Sequence, residues 1–500
     1  MCVIVWMSAC VVICLIIAAT AGPPAEGSQS EAEGGLPAEF GDRVQAAVAA
    51  LDRDEGYRSS DSGALAWRES NVLEAFYRMY EATHDTVWLD RIVRRADVIF
   101  ANRSVGDLGY PGWRTSAFST GLVTAKAAAG NPSQATIKTD PARTYDVNRF
   151  REVTGHDYEI DFRAASGAGC SFVVRDMTVS PRSKEIAAAE LPVDGRIEQV
   201  PGVVLFIEGT PQPGDRFFVH TEVPRADEYL CHDGMILTPV ARFCAAVLAP
   251  PPLEAQYGPT PSLEAQYGAI ARRYVAIMET EVVPKWEPYW RDLPSGGGVY
   301  LRQDHPAARA PGCSQPYNQV LAFGRMQIAL YRITGKPVYR ARVERMARWF
   351  KHGLRPIATH YEWNYWDYVR AGDEYFRFAC FVEDTGHGHI DVGSVIDAYD
   401  AGIVFDREDM DRFARTITES MWNGSEEKPL LGNRVNTSEG GSLHVLDWVQ
   451  YGRFSPKVRQ IMGRMLESLE LEGGQCAAAA QALALERLGW DPRPYWHTGT

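Results

Sequence analysis

The sequence lacks an excess of basic residues and the short motifs that identify several classes of protein. Its 64 acidic residues outnumber its 51 basic residues, so the net charge of −13 would repel a nucleic-acid backbone or an anionic membrane surface. It contains no Cys-x-x-Cys spacing, no Gly-x-Ser-x-Gly elbow, no dinucleotide fingerprint and no Gly-Lys-Ser/Thr phosphate loop. The sequence therefore predicts no nucleic-acid partner and no cofactor.

Long apolar runs are missing as well, except at the N-terminus. The first 21 residues are apolar and uncharged and end in Ala19-Thr20-Ala21, which fits the small-x-small pattern of a cleavage site. We predict a signal peptide at 1–21, a polar linker at 22–37 and a secreted or periplasmic location. Because no Lys or Arg precedes the apolar run, an uncleaved membrane anchor at the N-terminus stays open as the alternative.

Cysteine is scarce and irregularly spaced. Three of the nine cysteines lie in the predicted signal peptide, and the others are Cys170, Cys231, Cys244, Cys313, Cys380 and Cys476. In an oxidising compartment these residues allow one or two disulfides, with buried free thiols as the equal alternative.

Hydrophobic periodicity divides the rest of the chain into two helical parts and a β-rich insertion. Apolar side chains at three- and four-residue steps predict one helical part at 38–134 and a second at 235–500. The pattern of strands occupies 135–234, between the two helical parts. The predicted strands are 158–162, 171–179, 203–209 and 216–223.

Helices of the second part come in pairs of similar length. The predicted helices are 318–333, 337–353, 391–404, 407–421, 441–451, 455–470 and 475–489. Gly335 and Pro337, between the first two, are a typical helix stop and helix start. Serial hairpins with long loops rich in Gly, Trp, Tyr and His predict a mainly α fold, in which hairpins form an incomplete barrel and loops form a cleft at one end.

Three loop segments contain more polar aromatic and titratable residues than core packing requires. In the first, 106–116, glycines hold Tyr110, Trp113 and Arg114 on a tight loop. These side chains would suit a sugar platform with a cationic clamp for a carboxylate. An ordinary turn with a partly buried tryptophan is the alternative.

The second segment, 360–370, is the densest in aromatic residues. It contains His360, Tyr361, Trp363, Asn364, Tyr365, Trp366, Tyr368 and Arg370. If the segment is helical, Tyr361, Asn364, Tyr365 and Tyr368 share one face. We expect these residues to line a binding site.

The third segment, 383–394, contains Glu383 and the alternating run His387, His389 and Asp391 ahead of an apolar helix. Imidazole and carboxylate groups in such a run can bind zinc or iron. Here the run lies on a glycine-rich loop and no later histidine cluster matches it, so we predict no metal site and a general acid or base or a substrate-binding histidine. Histidine side chains satisfied within the loop are the alternative. Two further candidates for substrate binding are Arg302, after a glycine-rich turn, and Asn318, at a helix start.

The serial hairpins and the Trp, Tyr, His, Asn and Arg loops make the chain resemble (α/α) toroid carbohydrate-active enzymes. Among these, it is most similar to uronate polysaccharide lyases of the alginate, glucuronan and heparinoid lyase type. The resemblance implies β-elimination, in which Asn or Arg neutralises the substrate carboxylate, His or Tyr removes the C5 proton and Tyr protonates the leaving oxygen. The residues that it offers as catalytic are His389, Tyr368, His387 and Tyr365, of which we favour His389 and Tyr368. The remaining candidates above would bind a polysaccharide or oligosaccharide.

Other functions stay open at this point. A glycoside hydrolase on the same toroid needs two facing carboxyl groups, which Glu362, Asp367, Glu383, Asp384 and Asp391 could supply. An exported glycan-binding protein would need the aromatic residues alone, and uronate epimerisation is a further possibility.

Overall fold

The structure is a computed structural model, and it describes ten ranges of the chain. The described residues are 36–37, 39–117, 123–139, 153–164, 170–179, 184–223, 225–249, 263–303, 312–369 and 381–494. The predicted signal peptide, nearly all of the predicted linker and Arg370 lie outside them. Within the described ranges, residues 115–227 form one unit, and residues 36–114, 228–303 and 312–494 form a second, larger unit.

Helices dominate the larger unit, and a β-rich unit accompanies it, so the prediction of a mainly α fold with a β component is confirmed. The helices are α1 (Phe40–Ala50), α2 (Ser62–Ala64), α3 (Ser70–Thr83), α4 (Val87–Ala101), α5 (Leu230–Leu248), α6 (Leu263–Ile277), α7 (Val283–Trp286), α8 (Tyr317–Thr334), α9 (Pro337–Gly353), α10 (Thr385–Asp400), α11 (Arg407–Arg415), α12 (Pro456–Ser468) and α13 (Gly473–Arg487). Turns of π-helix lie at Leu65–Glu69, Met278–Val282 and Thr416–Met421, and 3₁₀ turns lie at Leu51–Arg53, Gly56–Arg58, Glu287–Tyr289 and Trp448–Arg453.

The pair α8 and α9 shows how local sequence sets helix ends. Helix α8 stops at Gly335, which adopts the left-handed conformation at φ 66° and donates its N–H to the carbonyl oxygen of Tyr331. Pro337 then opens α9, where its fixed φ suits the first helical position and its missing N–H leaves no bond unmade. The predicted glycine stop and proline start are confirmed.

Helices of the larger unit contact one another in a cyclic order. Helix α3 packs against α5, α5 against α8 and α8 against α10. The order continues from α10 through the 3₁₀ segment Trp448–Arg453 to α13, which packs against α3. Helices α4, α6, α9 and α1 pack on α3, α5, α8 and α13 in turn, and α12 packs on the 3₁₀ segment. The N-terminal and C-terminal helices of this unit are therefore neighbours.

One hydrophobic core occupies the larger unit and includes fully buried Trp113, Trp286, Trp349, Trp363 and Trp448. Among the described residues, α5 alone is long and apolar enough to cross a membrane by length and composition, and 89% of its apolar window is buried. Short antiparallel pairs of strands lie in the loops of this unit. They are β1 (Ser104–Val105) with β2 (Pro111–Gly112), β11 (Trp290–Asp292) with β12 (Gly298–Tyr300), and β13 (Arg355–Ile357) with β14 (His360–Glu362).

The smaller unit contains two antiparallel sheets around a core of its own. Its strands are β3 (Val123–Ala127), β4 (Thr136–Thr139), β5 (Asp157–Ala164), β6 (Cys170–Asp176), β7 (Lys184–Glu190), β8 (Arg196–Ile197), β9 (Leu205–Glu208) and β10 (Arg216–Thr221). One sheet has the order β3-β10-β5-β6-β7 and the other β4-β9-β8. Inward residues such as Ile160, Phe217 and Leu205 alternate with polar ones, as expected for strands with one buried face.

Several element boundaries differ from the sequence prediction. Strand β3 lies inside the predicted first helical part, and α5 begins inside the predicted insertion. The predicted helix 441–451 is wrong, because the chain is irregular up to Asp447 and then forms the 3₁₀ segment. The conditional helix at 360–370 is also wrong, because β14 is followed by irregular backbone. Among the described cysteines, Cys170, Cys231, Cys244, Cys313 and Cys476 are free.

Candidate functional site

The start of helix α10 brings together the titratable residues of the third loop segment. Asp384 is the N-cap, and its Oδ1 accepts the backbone N–H of His387 at 2.8 Å. This cap lets the helix begin at Thr385, whereas the prediction from the sequence was a glycine-rich loop up to a helix start at 391. His387, His389 and Asp391 therefore lie on the first turns of the helix and project in different directions.

His387 and Asp384 form a hydrogen-bonded pair. Asp384 Oδ2 lies 2.7 Å from His387 Nδ1. Burial alone would raise the pKa of Asp384, but the bonds from His387 and the nearby backbone N–H groups hold it below its usual value. Burial opposes protonation of His387, yet the bond to Asp384 and its charge raise the pKa of this imidazole above its usual value. An ionised Asp384 must accept from Nδ1–H, which leaves the lone pair on Nε2 when His387 is neutral.

Aromatic rings surround the His387 imidazole. Tyr365 meets it edge-on with ring centroids 5.3 Å apart, and Trp67 does so at 5.7 Å. Tyr365 stacks on Phe381 at 5.0 Å, which fixes the plane of its ring. The structure thus brings together one residue from each of two predicted segments, Tyr365 and His387, and adds Trp67, which the sequence analysis did not select.

Arg302 completes this group of side chains. Burial lowers the pKa of Arg302, and Tyr365 and Tyr229 both interact with it electrostatically. Burial also raises the pKa of Tyr365 far above its usual value, and Arg302 acts in the opposite direction. Arginine stays protonated in proteins. We call His387, Asp384, Tyr365, Trp67 and Arg302 the His387 cluster.

A second layer supports the cluster from helix α5 and the turn before α3. His232 Nδ1 lies 2.8 Å from the hydroxyl of Ser62, and its ring lies 6.5 Å from Trp67 and 5.0 Å from Tyr229. Burial lowers the pKa of His232 to about 3, so this imidazole is neutral at physiological pH. A neutral ring lets Ser62 and His232 hold Trp67 without adding charge.

Two carboxyl groups, Glu383 and Asp391, lie within hydrogen-bonding distance of each other under the cluster. Both residues are fully buried. Glu383 Oε1 accepts the N–H of Asp384, and Asp391 Oδ2 accepts the indole N–H of Trp363 at 2.9 Å. Glu383 Oε2 and Asp391 Oδ1 have no such donor among the described residues, so a proton shared between them satisfies both atoms.

Electrostatics of the Glu383 and Asp391 pair agree with a shared proton. Burial, followed by the charges of Asp391 and Asp384, raises the pKa of Glu383 well above its usual value. Burial raises the pKa of Asp391 to about 7. The pair therefore holds a proton at neutral pH.

Donor atoms of Glu383, Asp384 and His387 lie within 4.8 Å of one another, a spacing that could hold a metal ion. Two features favour hydrogen bonds over a cation here. Asp384 already uses both oxygens on His387, and the N-terminus of α10 presents positive backbone N–H groups. Glu383, Asp384 and His387 therefore form a hydrogen-bonded set at the start of α10.

His389, which the sequence analysis favoured as the catalytic histidine, faces a different part of the unit. Its Nδ1 lies 3.2 Å from Asp447 Oδ2, and Asp447 is held by Arg325 through two bonds of 2.8 and 2.9 Å. Arg325 and Arg242 both bind Asp397 at 2.8 Å. We call this buried chain the charge ladder. It consists of Glu74, Arg242, Asp397, Arg325, Asp447 and His389.

The charge ladder joins helices α3, α5, α8 and α10. A cavity of about 40 Å³ adjoins it and is lined by Ser70, Asn71, His389 and other residues. This volume accommodates water. Burial would raise the pKa of Asp447, but Arg325 and His389 hold it far below its usual value. Asp447 is therefore ionised, and the hydrogen bonds of the ladder place His389 in a structural network.

Other predicted site residues serve packing or local structure. Trp113 is 1% exposed and donates its indole N–H to Ile99, and Trp363 is fully buried, so neither offers a free face to a sugar. Asn364 accepts from Arg355 and donates to Asp367, which itself accepts from Tyr317. The predicted sugar platform around Trp113 is corrected to a core residue.

The remaining predicted residues lie apart from the His387 cluster or at its edge. Tyr361, in β14, donates to Asp409, and His360 lies 3.8 Å from Glu362 and from Glu419. Trp366 lies under the guanidinium of Arg302 at 5.0 Å and against Tyr368 at 5.4 Å. Arg114 donates to Ser104, Tyr110 is half-buried in the same loop, and Asn318 is buried at the start of α8.

Sequence reasoning missed Trp67, Tyr229 and His232 as neighbours of the cluster. Trp67 and His232 lie inside helical patterns, where an aromatic or histidine residue is read as core. Their tertiary contacts with His387 and Tyr229 were not encoded in local spacing. A weak signal existed for Tyr229, because it directly precedes a helix start.

Comparisons with known proteins identify no family. No family model matches the chain, and no curated protein matches it. Matches among solved structures include FlgL of Xanthomonas campestris, with 16% identity over 47% of this chain and 84% of that chain and a TM-score of 0.15. Another is the flagellar junction protein FlgL from Legionella pneumophila, with 14% identity, 48% and 91% coverage and a TM-score of 0.15. Scores of this size support no argument about fold or function.

Proposed function

We propose that this chain is an exported polysaccharide lyase that cleaves a uronate-containing glycan by β-elimination. The observation that supports the proposal best is the meeting of His387, Tyr365 and Arg302 in one cluster, with Asp384 fixing the imidazole. A histidine base, a tyrosine acid and an arginine are the groups that the reaction requires. The proposed export rests on the N-terminal sequence alone.

The same proposal includes an (α/α) toroid as the scaffold. The cyclic contact order of α3, α5, α8, α10, the 3₁₀ segment and α13 is consistent with such a ring. Outer helices pack on α3, α5, α8, α13 and the 3₁₀ segment. The His387 cluster draws Tyr365 from the loop after β14, Arg302 from the chain after β12, and Asp384 and His387 from the start of α10. Loops held by a rigid scaffold supply sites on toroids and barrels in the same way. Helical hairpins would then supply the rigid wall and loops the chemistry.

In the proposed reaction, each member of the cluster has one task. Arg302 binds the C6 carboxylate and stabilises the charge that develops when the C5 proton leaves. Neutral His387 accepts that proton on Nε2, while Asp384 stabilises the imidazolium. Tyr365 donates its phenolic proton to the oxygen at C4 as the C4–O bond breaks, leaving a double bond between C4 and C5. The raised pKa of Tyr365 keeps that proton in place until it is needed.

A hydrolase mechanism has less support from the carboxyl groups. Glu383 and Asp391 are fully buried and share a proton, so neither group can flank a glycosidic bond. Hydrolases place their two carboxyl groups roughly 5 Å or more apart on opposite sides of the bond. Burial therefore explains the raised pKa values of this pair, and these values do not indicate a pair of hydrolase carboxyl groups.

The test is incubation of the purified chain with glucuronan, alginate, heparosan and neutral glycans. We expect a rise in ultraviolet absorbance from an unsaturated uronate with at least one of the acidic polymers. New reducing ends without absorbance would replace the proposal with a hydrolase. Retention on a glycan column without either product would replace it with a binding protein.

A further inference from the structure

A buried cluster of charged residues lies between helix α5 and the short helix α7. Lys285 Nζ is 2.7 Å from Asp233 Oδ2 and 3.6 Å from Glu228 Oε1. The side chains of Lys285 and Asp233 are 0% exposed and that of Glu228 is 2% exposed. One lysine and two carboxyl groups therefore share an enclosed space, which is rare for ionisable residues.

Hydrogen bonding leaves most of these polar atoms unused. Lys285 Nζ, Asp233 Oδ1 and both carboxyl oxygens of Glu228 make no hydrogen bond within the described part of the chain. The contact between Lys285 and Asp233 is short, but its angles are not those of a hydrogen bond. Buried polar atoms without partners are unfavourable, so a cluster with four of them calls for an explanation.

Surrounding residues hold the three groups against one another. The indole N–H of Trp286 donates to Asp233 Oδ2 at 2.7 Å. A methyl group at Gly112 would lie 2.7 Å from Lys285 Nζ and closer still to Glu228 Oε1, so a larger residue there would push these two side chains aside. The backbone of β2 thus closes the space around the amine.

We propose that Lys285 and Asp233 become joined by an intramolecular isopeptide bond, with Glu228 as the proton shuttle. Transfer of one proton from Nζ to the Asp233 carboxylate converts the ion pair into a neutral amine and a carboxylic acid. The Nζ lone pair then attacks Cγ of Asp233, forming a C–N bond. Oδ1 departs with two protons as water, and Oδ2 remains as the amide oxygen. The reaction needs no oxidant or other co-reactant.

Glu228 is suited to move the proton from nitrogen to the leaving oxygen. Burial, opposed by Lys285, raises the pKa of Glu228 to about 7, so this carboxyl can both accept and return a proton at neutral pH. The Trp286 N–H, already bonded to Oδ2, stabilises the negative charge that develops on that oxygen. The product amide replaces a buried amine and carboxylate by one neutral group.

Peptide mass mapping of the full chain tests the proposal without any variant. Trypsin cleaves after Arg225, Arg242, Arg273 and Arg291, and an amide on Lys285 blocks cleavage there. We expect a branched peptide in which 226–242 is joined to 274–291, with a mass lower than the sum of the two by one water molecule. Fragmentation must place the link on Asp233. Recovery of the linear peptides alone, with cleavage after Lys285, would overturn the proposal.

Two variants test whether formation of the isopeptide bond needs Glu228. Glu228→Gln keeps the side-chain size but removes the acid, so we expect linear peptides from this variant. Glu264→Gln, an exposed carboxylate on α6, is the matched control and should retain the branched peptide. A branched peptide in Glu228→Gln would remove Glu228 from the reaction, and a link to Glu228 in the wild-type chain would replace Asp233 as the acceptor.

Discussion

At the residue scale, His387 owes its properties to two oxygens of one carboxylate. Asp384 binds both the backbone N–H and the ring Nδ1 of His387, so helix capping and imidazole orientation come from the same side chain. His389, only two residues along the helix, instead joins Asp447 in the charge ladder. The choice between the two histidines as the proposed base follows from these different partners.

A matched pair of tyrosine variants tests the assignment of the acid. Tyr365→Phe removes only a hydroxyl, and we expect it to lower turnover by at least ~100-fold, the usual contribution of a positioned acid or base. Tyr368→Phe, the residue that the sequence favoured, should lower turnover much less because its ring packs on Trp366 and not on His387. Steady-state kinetics on the acidic polymer that gives absorbance measure both. The reverse order of effects would return the role to Tyr368.

Dependence on pH tests the base. His387 must be neutral to accept a proton, and its pKa is raised by Asp384, so kcat/KM should rise with pH through a value above the usual 6.5 or so. In Asp384→Asn the raising bond and charge are lost, and the acidic limb should move to lower pH while activity falls. His444, Asp391 and Tyr365 also face this imidazole and remain in the variant. If the acidic limb of the kcat/KM profile stayed at the same pH in this variant, a group other than His387 would be responsible for it.

At the element scale, neighbouring residues at the start of α10 contact different parts of the larger unit. The N-cap Asp384 pairs with His387, His389 pairs with Asp447, and Asp391 forms a buried carboxyl pair with Glu383. The helix can do so because consecutive residues point about 100° apart, so close neighbours in sequence reach separate environments.

Stability against pH tests the shared proton of Glu383 and Asp391. Both folded pKa values are raised, so the fold binds more protons than the unfolded chain, and unfolding free energy falls as pH rises from about 4 through about 7. In Asp391→Asn the amide donates to Glu383 and accepts from Trp363, so we expect a smaller fall across this window. Denaturant unfolding at several pH values measures it. Asp411→Asn, on α11, is the control and should keep the wild-type slope, and an equal slope in Asp391→Asn would contradict the shared proton.

Close approach of the charge ladder to α10 depends on Gly393. A methyl group there would lie 2.6 Å from Arg325 Nη1 and from Asp447 Cγ. We expect Gly393→Ala to lower the free energy of unfolding by about 1–3 kcal/mol or more, the usual effect of overpacking. Gly41→Ala, in α1 with open space around it, should leave stability unchanged or raise it slightly. Wild-type stability in Gly393→Ala would show that the ladder can move aside.

At the scale of the whole molecule, the larger unit depends on contact between distant parts of the chain. Helix α3 packs against both α5 and α13, and Glu74 on α3 pairs with Arg242 on α5. Removing the N-terminal helices would expose two packed helix faces and leave Arg242 with fewer partners.

A fragment of residues 228–500 tests this dependence. We expect it to lack a cooperative unfolding transition, because α5 and α13 lose the helix that packs between them. The control is a chain that begins at residue 36 and retains every described element, which should unfold cooperatively. Circular dichroism during thermal unfolding measures both, and a cooperative transition in the fragment would show that it is an independent domain.

Local sequence determined those features that depend on neighbouring residues. The stop at Gly335 and the start at Pro337, the helices around them and the strands β5, β6, β9 and β10 follow from backbone preference and hydrophobic period. Strands β4, β7 and β8 are not among the predicted strands. The sequence also marked both loop segments that supply Tyr365 and His387, because their density of polar aromatics and histidines is visible without a fold.

Only the tertiary structure decided which of these residues meet. Trp67 and Arg302 join His387 from segments far apart in the chain, and Trp113 turns inward to the core. His387 and His389 have the same chemistry in the sequence, and their partners Asp384 and Asp447 separate them only when α10 is placed beside the 3₁₀ segment. Contacts, burial and pKa are set by packing between distant elements, which a local pattern of residues does not record.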